Sequence, residues 1–334
     1  MKIIYNPNRY SQQRQNEKPV DIYPVHLAME ATYYKNQLKD VYWNPPLSEI
    51  DFIIKNNYET RIISEPEGLP FCDLPIPARG WTGAFEKKYQ RYGNYKYHPA
   101  THMMAALDCW YAKCTFCDWA KKYPNVQTRS VSHVLEEVEL CQMMGFKEIF
   151  DDSGTFPYGK WLETFCNERR KKKKIVIGCN MRISSPKQRP DFGLMKEAGF
   201  RMVLFGVESF NQITLDRLNK GIKATDIIPC IRNASLKGLD PHVALMVGYP
   251  WESLEEEMHT INLVKYMLIK GYAKTAQVSI YNTPEEKGID RGTKHKIYNC
   301  AFSPEFWIRK LIDIKNLKDF LYLLKCIKKG VIRD

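Results

Sequence analysis

Apolar runs and helical patterns alternate from residue 101 onward, and this alternation sets the expected architecture. Six short apolar runs have the length of buried strands, and segments with apolar residues at helical spacing lie between them. The predicted strands are 102–107, 148–150, 175–178, 202–207, 243–247 and 275–281. Apolar strands joined by helices are typical of a parallel sheet covered on its faces. The sequence therefore predicts an α/β protein built on a partial (β/α)6 TIM-like barrel.

Ordinary start and stop signals bound the helices between these strands. Ser132 is predicted to start a helix that ends at Gly145, because serine caps helix N-termini and glycine ends helices. A longer helix at 254–269 also stops at a glycine, Gly271. The working face of such a barrel is the set of loops that follow the strands.

The N-terminal region has a shorter pattern of the same kind. A strand at 2–5, a helix at 25–38 and a strand at 41–43 form one predicted unit, and a weaker α/β pair follows through 50–63. This is too little for a full doubly wound nucleotide-binding domain. We therefore expect three parts, which are a truncated Rossmann-like appendage, a barrel core and a C-terminal helical extension, at 1–75, 76–284 and 285–334.

The C-terminal extension is amphipathic. Between residues 306 and 329, leucines and isoleucines recur on one side of one or two predicted helices, and lysines occupy the other side. Packing against the open edge of the barrel is the first expectation. Contact with a membrane surface or with a partner protein is the alternative.

Composition places the chain among ordinary globular proteins, with 44% hydrophobic and 26% charged residues among 334. No apolar run approaches the roughly 18 residues of a membrane span, and the N-terminus lacks a signal-peptide pattern. We therefore expect no transmembrane segment and a cytoplasmic location, where cysteines serve as ligands or reduced thiols rather than as disulfides.

The net charge of +12 calls for an anionic partner or a structural explanation. The densest basic run, residues 169–174, precedes a predicted strand, so it should form a solvated helix-to-strand loop away from the active face. Nucleic-acid binding is therefore not the preferred interpretation. A positive field suits an acidic electron-transfer protein, such as a flavodoxin or ferredoxin, or an anionic small-molecule substrate.

Three cysteines stand close together on the loop that follows the first barrel strand. Cys109, Cys114 and Cys117 fall within nine residues, and no fourth cysteine lies at ligand spacing. Thiolates are soft ligands suited to iron–sulfur clusters and zinc. On a four-iron cluster, three ligands would leave one iron open. A zinc site with His102 or Asp118 as the fourth ligand, and plain buried cysteines, remain the alternatives.

Polar residues and glycines follow the other strands in the same way. Carboxylates, an arginine and close-approach glycines are expected to converge on one rim, because the carboxyl ends of parallel strands share one edge. The residues in question are Asp151, Asp152, Ser153, Asn180, Arg182, Glu208, Ser209 and Gly248.

The combined motifs resemble the radical S-adenosylmethionine (SAM) superfamily, and within it the enzymes that usually carry an N-terminal cobalamin-binding domain. The resemblance spans about residues 76–284, and outside this span residues 23–29 also look like the first helix of the cobalamin domain. The matching segments are 109–117, 150–154, 196–200, 204–209, 218–221 and 247–250.

The resemblance implies a set of cofactor contacts. Cys109, Cys114 and Cys117 would hold a [4Fe–4S] cluster, with SAM chelating the open iron, and Phe116 would lie near the adenine. Asp152 would receive the SAM amino group, Glu208 and Ser209 would meet the ribose or methionine end, and Gly248 would let backbone approach the nucleoside. Six residues are thus expected to bind cofactor besides Phe116, namely Asp152, Ser153, Arg182, Glu208, Ser209 and Gly248.

The implied activity is reductive cleavage of SAM to a 5′-deoxyadenosyl radical that abstracts hydrogen from an unidentified substrate. A cobalamin-dependent radical SAM methyltransferase or cyclase is the alternative, and a non-catalytic metal-binding barrel the second. Two features depart from the family pattern. Four residues separate Cys109 from Cys114 where three are usual, and the short N-terminal segment makes cobalamin binding doubtful.

Overall fold

A computed structural model describes most of the chain. The described residues are 2–5, 25–37, 41–43, 60–63, 69–87, 89–91, 94–107, 109–117, 125–172, 175–314 and 316–332. Contacts divide the chain into two compact units. The first unit consists of Met1–Leu107 and Gln127–Asp152, and the second of Asp108–Val126 and Ser153–Asp334.

The first unit begins with a small parallel α/β arrangement. Its strands and helices are β1 (Lys2–Tyr5), α1 (Val25–Gln37), β2 (Val41–Trp43), β3 (Thr60–Ile63), β4 (Ala100–Met103), β5 (Ala106–Leu107), β6 (Gln127–Thr128), α2 (Val131–Met143) and β7 (Glu148–Asp151). Within the described residues, β2, β1 and β3 form a parallel sheet in that order. The predicted strand, helix and strand of the N-terminal appendage are thus confirmed. Residues 50–59 of the weaker predicted pair lie outside the described residues.

The second unit contains the regular β/α repeats. Its elements are α3 (Lys160–Arg169), β8 (Val176–Arg182), α4 (Phe192–Glu197), β9 (Phe200–Glu208), α5 (Gln212–Arg217), α6 (Ala224–Leu236), β10 (Asp240–Val247), α7 (Leu254–Lys270), β11 (Thr275–Ile280), α8 (Pro304–Asp313) and α9 (Leu317–Ile332), with a 3₁₀ segment at Lys294–Phe302 before α8.

In the part of the chain that the structure describes, six strands form the large sheet in the order β11-β10-β9-β8-β7-β4. The pairs β4–β7, β8–β9, β9–β10 and β10–β11 are parallel. Every residue of β4, β7, β9 and β10 is buried or half-buried, which explains the long apolar runs within β9 and β10. The predicted partial α/β barrel is confirmed.

The first predicted barrel strand is corrected. Residues 102–107 do not form one strand, because β4 ends at Met103 and β5 pairs antiparallel with β6 instead. The reason lies in the backbone between them. The Ala105 N–H donates to the Asp151 carboxylate at 2.7 Å, and the Ala105 carbonyl accepts from the Arg129 N–H at 3.0 Å. These bonds take the backbone out of the ladder.

Two other boundaries differ from prediction. Strand β8 runs to Arg182, so Asn180 and Arg182 belong to the end of the strand rather than to the loop after it. Helix α2 begins at Val131, and its N-cap is Ser130, whose hydroxyl accepts from the His133 N–H at 3.2 Å. Ser132 is therefore inside the helix, and the predicted start was wrong by two residues.

Residues 170–172 of the basic run are exposed as predicted, but Arg169 is a buried helix residue, and the C-terminal region forms the predicted helices. Arg169 ends α3 with a buried guanidinium that donates to the carbonyl oxygens of Ala198, at 2.8 Å, and Ile175. Lys173 and Lys174 lie outside the described residues. The C-terminal extension forms two helices, α8 and α9, that expose large apolar side chains such as Leu311 and Leu317. None of the helices that the structure describes is long and apolar enough to span a bilayer.

Candidate active site

The residues 109–117, here called the cysteine loop, belong to the second unit. All three thiols of the loop are half-buried. The Cys109 thiol donates to the Thr155 hydroxyl at 3.1 Å, and the Cys117 N–H donates to the Cys114 carbonyl at 3.3 Å. A guanidinium nitrogen of Arg182 lies 3.6 Å from the Cys114 sulfur. The loop therefore contacts both the segment after β7 and the end of β8.

The donor set of the cysteine loop fits an iron–sulfur cluster by its chemistry. Three partly exposed thiols on one short loop are the ligand type that such clusters use. Among the residues that the structure describes, no three histidine, cysteine or carboxylate side chains are already gathered as a metal-binding group. The ligand roles of the three cysteines stay a prediction.

The alternative zinc ligands find no support. The buried His102 ring in the first unit is hydrogen bonded to the Tyr95 hydroxyl through Nδ1 at 2.6 Å. Asp118, the other candidate, lies outside the described residues. The Nδ1 atom of His102 is thus engaged within the first unit, and the ligand role of Asp118 stays a prediction.

Arg182 is held against the cysteine loop by several contacts. Its guanidinium carbon lies 3.5 Å from the centroid of the Tyr111 ring and 5.7 Å from that of Trp110. It also donates to the Lys220 carbonyl. A planar cation that stacks on an aromatic face while donating hydrogen bonds is a geometry that arginine provides and lysine does not.

Phe116 lies in an aromatic wall of the second unit. It packs against a buried cluster of Leu218, Tyr249 and Tyr281. The Lys220 ammonium is 5.5 Å from the Phe116 ring centroid. Burial, and then the nearby Glu208 carboxylate, raise the pKa of Tyr249 well above its usual value, so this phenol stays neutral. A neutral aromatic surface beside a cation is suited to stacking on a flat ligand and to excluding water.

Glu208 ends β9 in a strained backbone conformation. Its φ is +66°, which a side-chain-bearing residue adopts at a cost, and its carboxylate pairs with Lys220 at 2.8 Å. A Cβ on Gly206 would lie 2.7 Å from the Glu208 carboxylate and 3.0 Å from the Lys220 ammonium. Glycine at position 206 therefore leaves the space that the pair occupies.

Ser209 is directed into the protein. Its hydroxyl is fully buried and donates to the Glu252 carboxylate at 2.9 Å, and the Thr214 hydroxyl donates to the same carboxylate at 2.5 Å. Burial raises the pKa of Glu252, and these hydroxyls oppose that effect by stabilising the charged form. The predicted SAM contact of Ser209 is untested, and its observed contacts serve to hold Glu252.

Gly248 lies against another segment of the chain itself, and its predicted contact with the nucleoside stays a prediction. Its φ is +82°, and a Cβ there would lie 2.4 Å from the Ile289 carbonyl oxygen. The Gly248 N–H donates to Glu257 at 2.8 Å, and Arg291 pairs with the same carboxylate oxygen at 2.8 Å. The chain's own segment after β11 thus approaches this glycine. Nothing in the local sequence pattern marks Arg291 or Glu257, which only the tertiary structure brings together.

Asp152 and Ser153 fall in different units. Asp152 ends the first unit, and its N–H donates to the Met103 carbonyl at 2.8 Å. Ser153 begins the second unit, is fully buried, and accepts from the Asn180 side-chain amide through its carbonyl at 3.0 Å. Their predicted cofactor contacts remain predictions.

Comparison with known proteins finds a matching family. Residues 108–264 match the model of the radical SAM superfamily, and this match begins immediately before Cys109. This segment, a little under half of the chain, is therefore similar to radical SAM domains. Such a domain implies a [4Fe–4S] cluster and SAM, in agreement with the resemblance inferred from the motifs.

Two curated relatives are similar to part of the chain. An uncharacterized methyltransferase of Pyrococcus horikoshii is 27% identical over 156 residues, which are 46% of this chain and 34% of the relative. An anaerobic magnesium-protoporphyrin IX monomethyl ester cyclase of Rubrivivax gelatinosus is 25% identical over 214 residues, which are 61% of this chain and 37% of the relative. The chain thus spans little more than a third of the length of either protein.

Among solved structures, the cobalamin-dependent S-adenosylmethionine radical enzyme OxsB has a similar fold. In its complex with aqua-cobalamin and SAM it superposes with a TM-score of 0.50 at 13% identity, covering 93% of this chain and 48% of that one. At this identity the likeness concerns the fold.

Proposed function

We propose that this protein is a radical SAM enzyme that holds a [4Fe–4S] cluster on Cys109, Cys114 and Cys117. The proposal is supported above all by the match of residues 108–264, which contains the three-thiol loop, to the radical SAM superfamily. When bound, the cluster supplies the electron that cleaves SAM to methionine and a 5′-deoxyadenosyl radical, which removes a hydrogen atom from the substrate.

The residues around the cysteine loop would orient SAM and keep water away. Phe116 and its wall offer a flat apolar surface for the adenine. The Glu208–Lys220 pair presents both charges in a largely buried place, where polar groups of SAM would find partners without mobile water. Arg182 stacks on the Tyr111 ring and so helps to fix the position of the cysteine loop. These roles support binding and orientation, while the radical chemistry belongs to the cofactors.

Anaerobic reconstitution tests the proposal. The protein is loaded with iron and sulfide, its iron is counted, and 5′-deoxyadenosine is measured with SAM and a reductant. We expect the wild type to hold a cluster and to produce 5′-deoxyadenosine. Cys114→Ala should neither retain a cluster nor produce the nucleoside. The control Cys72→Ala, at an exposed cysteine of the first unit, should behave as the wild type. Absence of product from the wild type, or equal product from Cys114→Ala, would reject the mechanism.

We further propose a small-molecule substrate, with an anionic one favoured by the net charge of +12. The same charge supports an acidic electron donor of the flavodoxin or ferredoxin type, acting in the cytoplasm. Nucleic acid is not proposed as substrate, since the basic run is partly used internally by Arg169. Because α8 and α9 expose apolar residues, contact of these helices with a membrane surface is a further hypothesis.

A cobalamin-dependent methyltransferase or cyclase is the second candidate. It is favoured by the small parallel sheet β2-β1-β3 with α1, and by the fold likeness to a cobalamin-dependent enzyme over 93% of the chain. Residues 240–242 resemble the first part of the cobalamin lower-ligand motif D-x-H-x-x-G, without its glycine. The histidine of this segment, His242, lies buried in β10 with its Nδ1 2.8 Å from the Thr275 hydroxyl. The residues therefore do not fit a lower ligand there. A corrinoid absorbance that persists after desalting would favour this candidate.

A further inference from the structure

The residues 217–221, here called the docking turn, lie directly beside the cysteine loop in the second unit. The turn begins at the last residue of α5. Two of its carbonyls accept from Thr115, whose N–H donates to Leu218 at 3.0 Å and whose hydroxyl donates to Arg217 at 3.4 Å. Consecutive carbonyls of one turn thus bind the segment between Cys114 and Cys117.

The next two carbonyls of the docking turn continue this pattern. The Asn219 carbonyl accepts from the Tyr111 hydroxyl at 2.9 Å, and the Lys220 carbonyl accepts from Arg182, the residue that covers Tyr111 and approaches Cys114. Four successive backbone oxygens therefore face the cysteine loop or its neighbour Arg182. Carbonyl groups at the end of a helix need donors from outside the helix, and here three of the four donors come from the loop that carries the thiols.

The backbone of the docking turn is shaped for this contact. Asn219 has φ +46° and Gly221 has φ +63°, both in the left-handed region. A Cβ on Gly221 would lie 2.2 Å from the Tyr111 hydroxyl oxygen and 2.7 Å from the adjoining ring carbon. The ring of Tyr111 is wedged between this glycine and the guanidinium of Arg182. Any side chain at position 221 would displace it.

The backbone of the cysteine loop is also shaped for its contact with the docking turn. The spacing of four residues between Cys109 and Cys114 is one more than the family pattern, and Ala112, within this stretch, has φ +46°. This left-handed residue lies between Tyr111, which donates to the docking turn, and Cys114, which lies beside Arg182. The left-handed Ala112 is a strained feature of the kind that surrounding contacts must hold in place.

We infer that the docking turn positions the cysteine loop and thereby limits the conformations from which its three thiols must gather around the cluster. The inference rests on the proposed function for the identity of the cluster. The turn also links the loop to the Glu208 carboxylate, because the same Lys220 accepts Arg182 through its carbonyl and pairs with Glu208 through its ammonium. Arg217–Gly221 and Tyr111 are therefore positioning residues, which act through the loop and need not touch SAM.

The physical effect is preorganisation. An undocked loop of nine residues must lose backbone freedom when its thiols bind metal, and that entropy reduces the affinity for the cluster. A loop already tied to the docking turn has lost this freedom on folding. Weakening the turn should therefore speed the loss of iron and should increase the exposure of the thiols.

Gly221→Ala tests the inference, with Gly159→Ala as the matched control. Both glycines have φ +63°, but nothing lies within 4 Å of a Cβ at Gly159, so the control carries the backbone strain without the clash. After reconstitution, iron release to a chelator should be about tenfold faster for Gly221→Ala than for Gly159→Ala, as expected for the loss of one good contact. Equal release from the two variants would overturn the inference. Tyr111→Phe, which removes only the hydroxyl, should speed release by a smaller factor.

A second readout uses the reduced protein without iron. Alkylation of Cys114 by iodoacetamide should be severalfold faster in Gly221→Ala than in the wild type, with circular dichroism showing equal helix content. In a Tyr111→Ala background, Gly221→Ala should increase the alkylation rate of Cys114 no more than Gly159→Ala does, because the ring with which it clashes is gone. Unchanged alkylation would reject docking even where a cluster forms. A wild type that alkylates slowly but holds no cluster would reject the proposed function and leave docking supported.

Discussion

Glu137 illustrates how single residues carry the first unit. It is fully buried between the guanidinium groups of Arg79 and Arg129, with which it forms ion pairs. Burial raises the pKa of Glu137, but the charges and hydrogen bonds of Arg129 and Arg79 outweigh it and leave the pKa lowered. Arg79 also donates to the His102 carbonyl at 2.8 Å, and Arg129 to the Met104 carbonyl at 2.9 Å. The buried Glu137 thus holds two arginines whose side chains donate to the backbone at the end of β4 and just after it.

His102 predicts a pH dependence of stability. Burial, and then the charge of Arg79, lower its pKa to about 3, so the folded state keeps the ring neutral where the unfolded chain binds a proton. Stability from this residue is present above its ordinary pKa near 6.5 and is lost as pH falls below it. His102→Gln should therefore reduce the loss of unfolding free energy between pH 7 and pH 5 by about 2 kcal/mol.

Urea unfolding at the two pH values measures this difference. His259→Gln, at an exposed histidine, is the control and should leave the pH dependence as in the wild type. If the wild type and His102→Gln lost the same unfolding free energy between the two pH values, the assignment of a buried neutral ring would be contradicted.

At the scale of elements, the first residues of helices follow local chemistry closely enough to test. Two serines stand near the start of α2, and the structure assigns the cap to Ser130 rather than Ser132. Ser130→Ala should lower the unfolding free energy by about 1 kcal/mol, because the His133 N–H loses its acceptor. Ser132→Ala, inside the helix, should leave the unfolding free energy unchanged or raise it slightly, because alanine is the better helix former. Denaturant titration of both variants decides between the two serines.

The strand ends show why element boundaries needed the structure. A run of apolar residues predicted one strand at 102–107, and every side chain from Met103 to Leu107 is indeed buried. The break occurs because the Asp151 carboxylate and the Arg129 N–H take the hydrogen bonds of Ala105. Burial was readable from hydropathy, whereas the partner of each backbone group depended on residues far along the chain.

At the scale of the molecule, the net charge of +12 should govern encounter with an acidic electron donor. Reduction of the reconstituted cluster by an acidic flavodoxin should slow by about tenfold between roughly 20 mM and 200 mM salt, because screening weakens attraction between opposite charges. Stopped-flow absorbance gives the rate. Reduction by the neutral small molecule 5-deazariboflavin under light is the control and should change little. A flavodoxin rate that does not depend on salt would argue against electrostatic steering.

The division into units also belongs to this scale. The cysteine loop groups with the second unit, although the residues on both sides of it, β5 and β6, belong to the first. The predicted boundaries at 75/76 and 284/285 followed composition and repeat count, which do not register such contacts. These three-part boundaries stay predictions.

The sequence alone determined the class of the fold and predicted the chemistry of the centre. Periodic burial specifies parallel strands and their covering helices, and soft thiols at short spacing predict a metal-binding loop, because both depend on local spacing and residue type. The tertiary structure decided which groups meet. It directed Ser209 to Glu252, brought Ile289 against Gly248 and seated Tyr111 on Gly221. Such contacts join residues separated by tens of positions, and they depend on packing that no local pattern encodes.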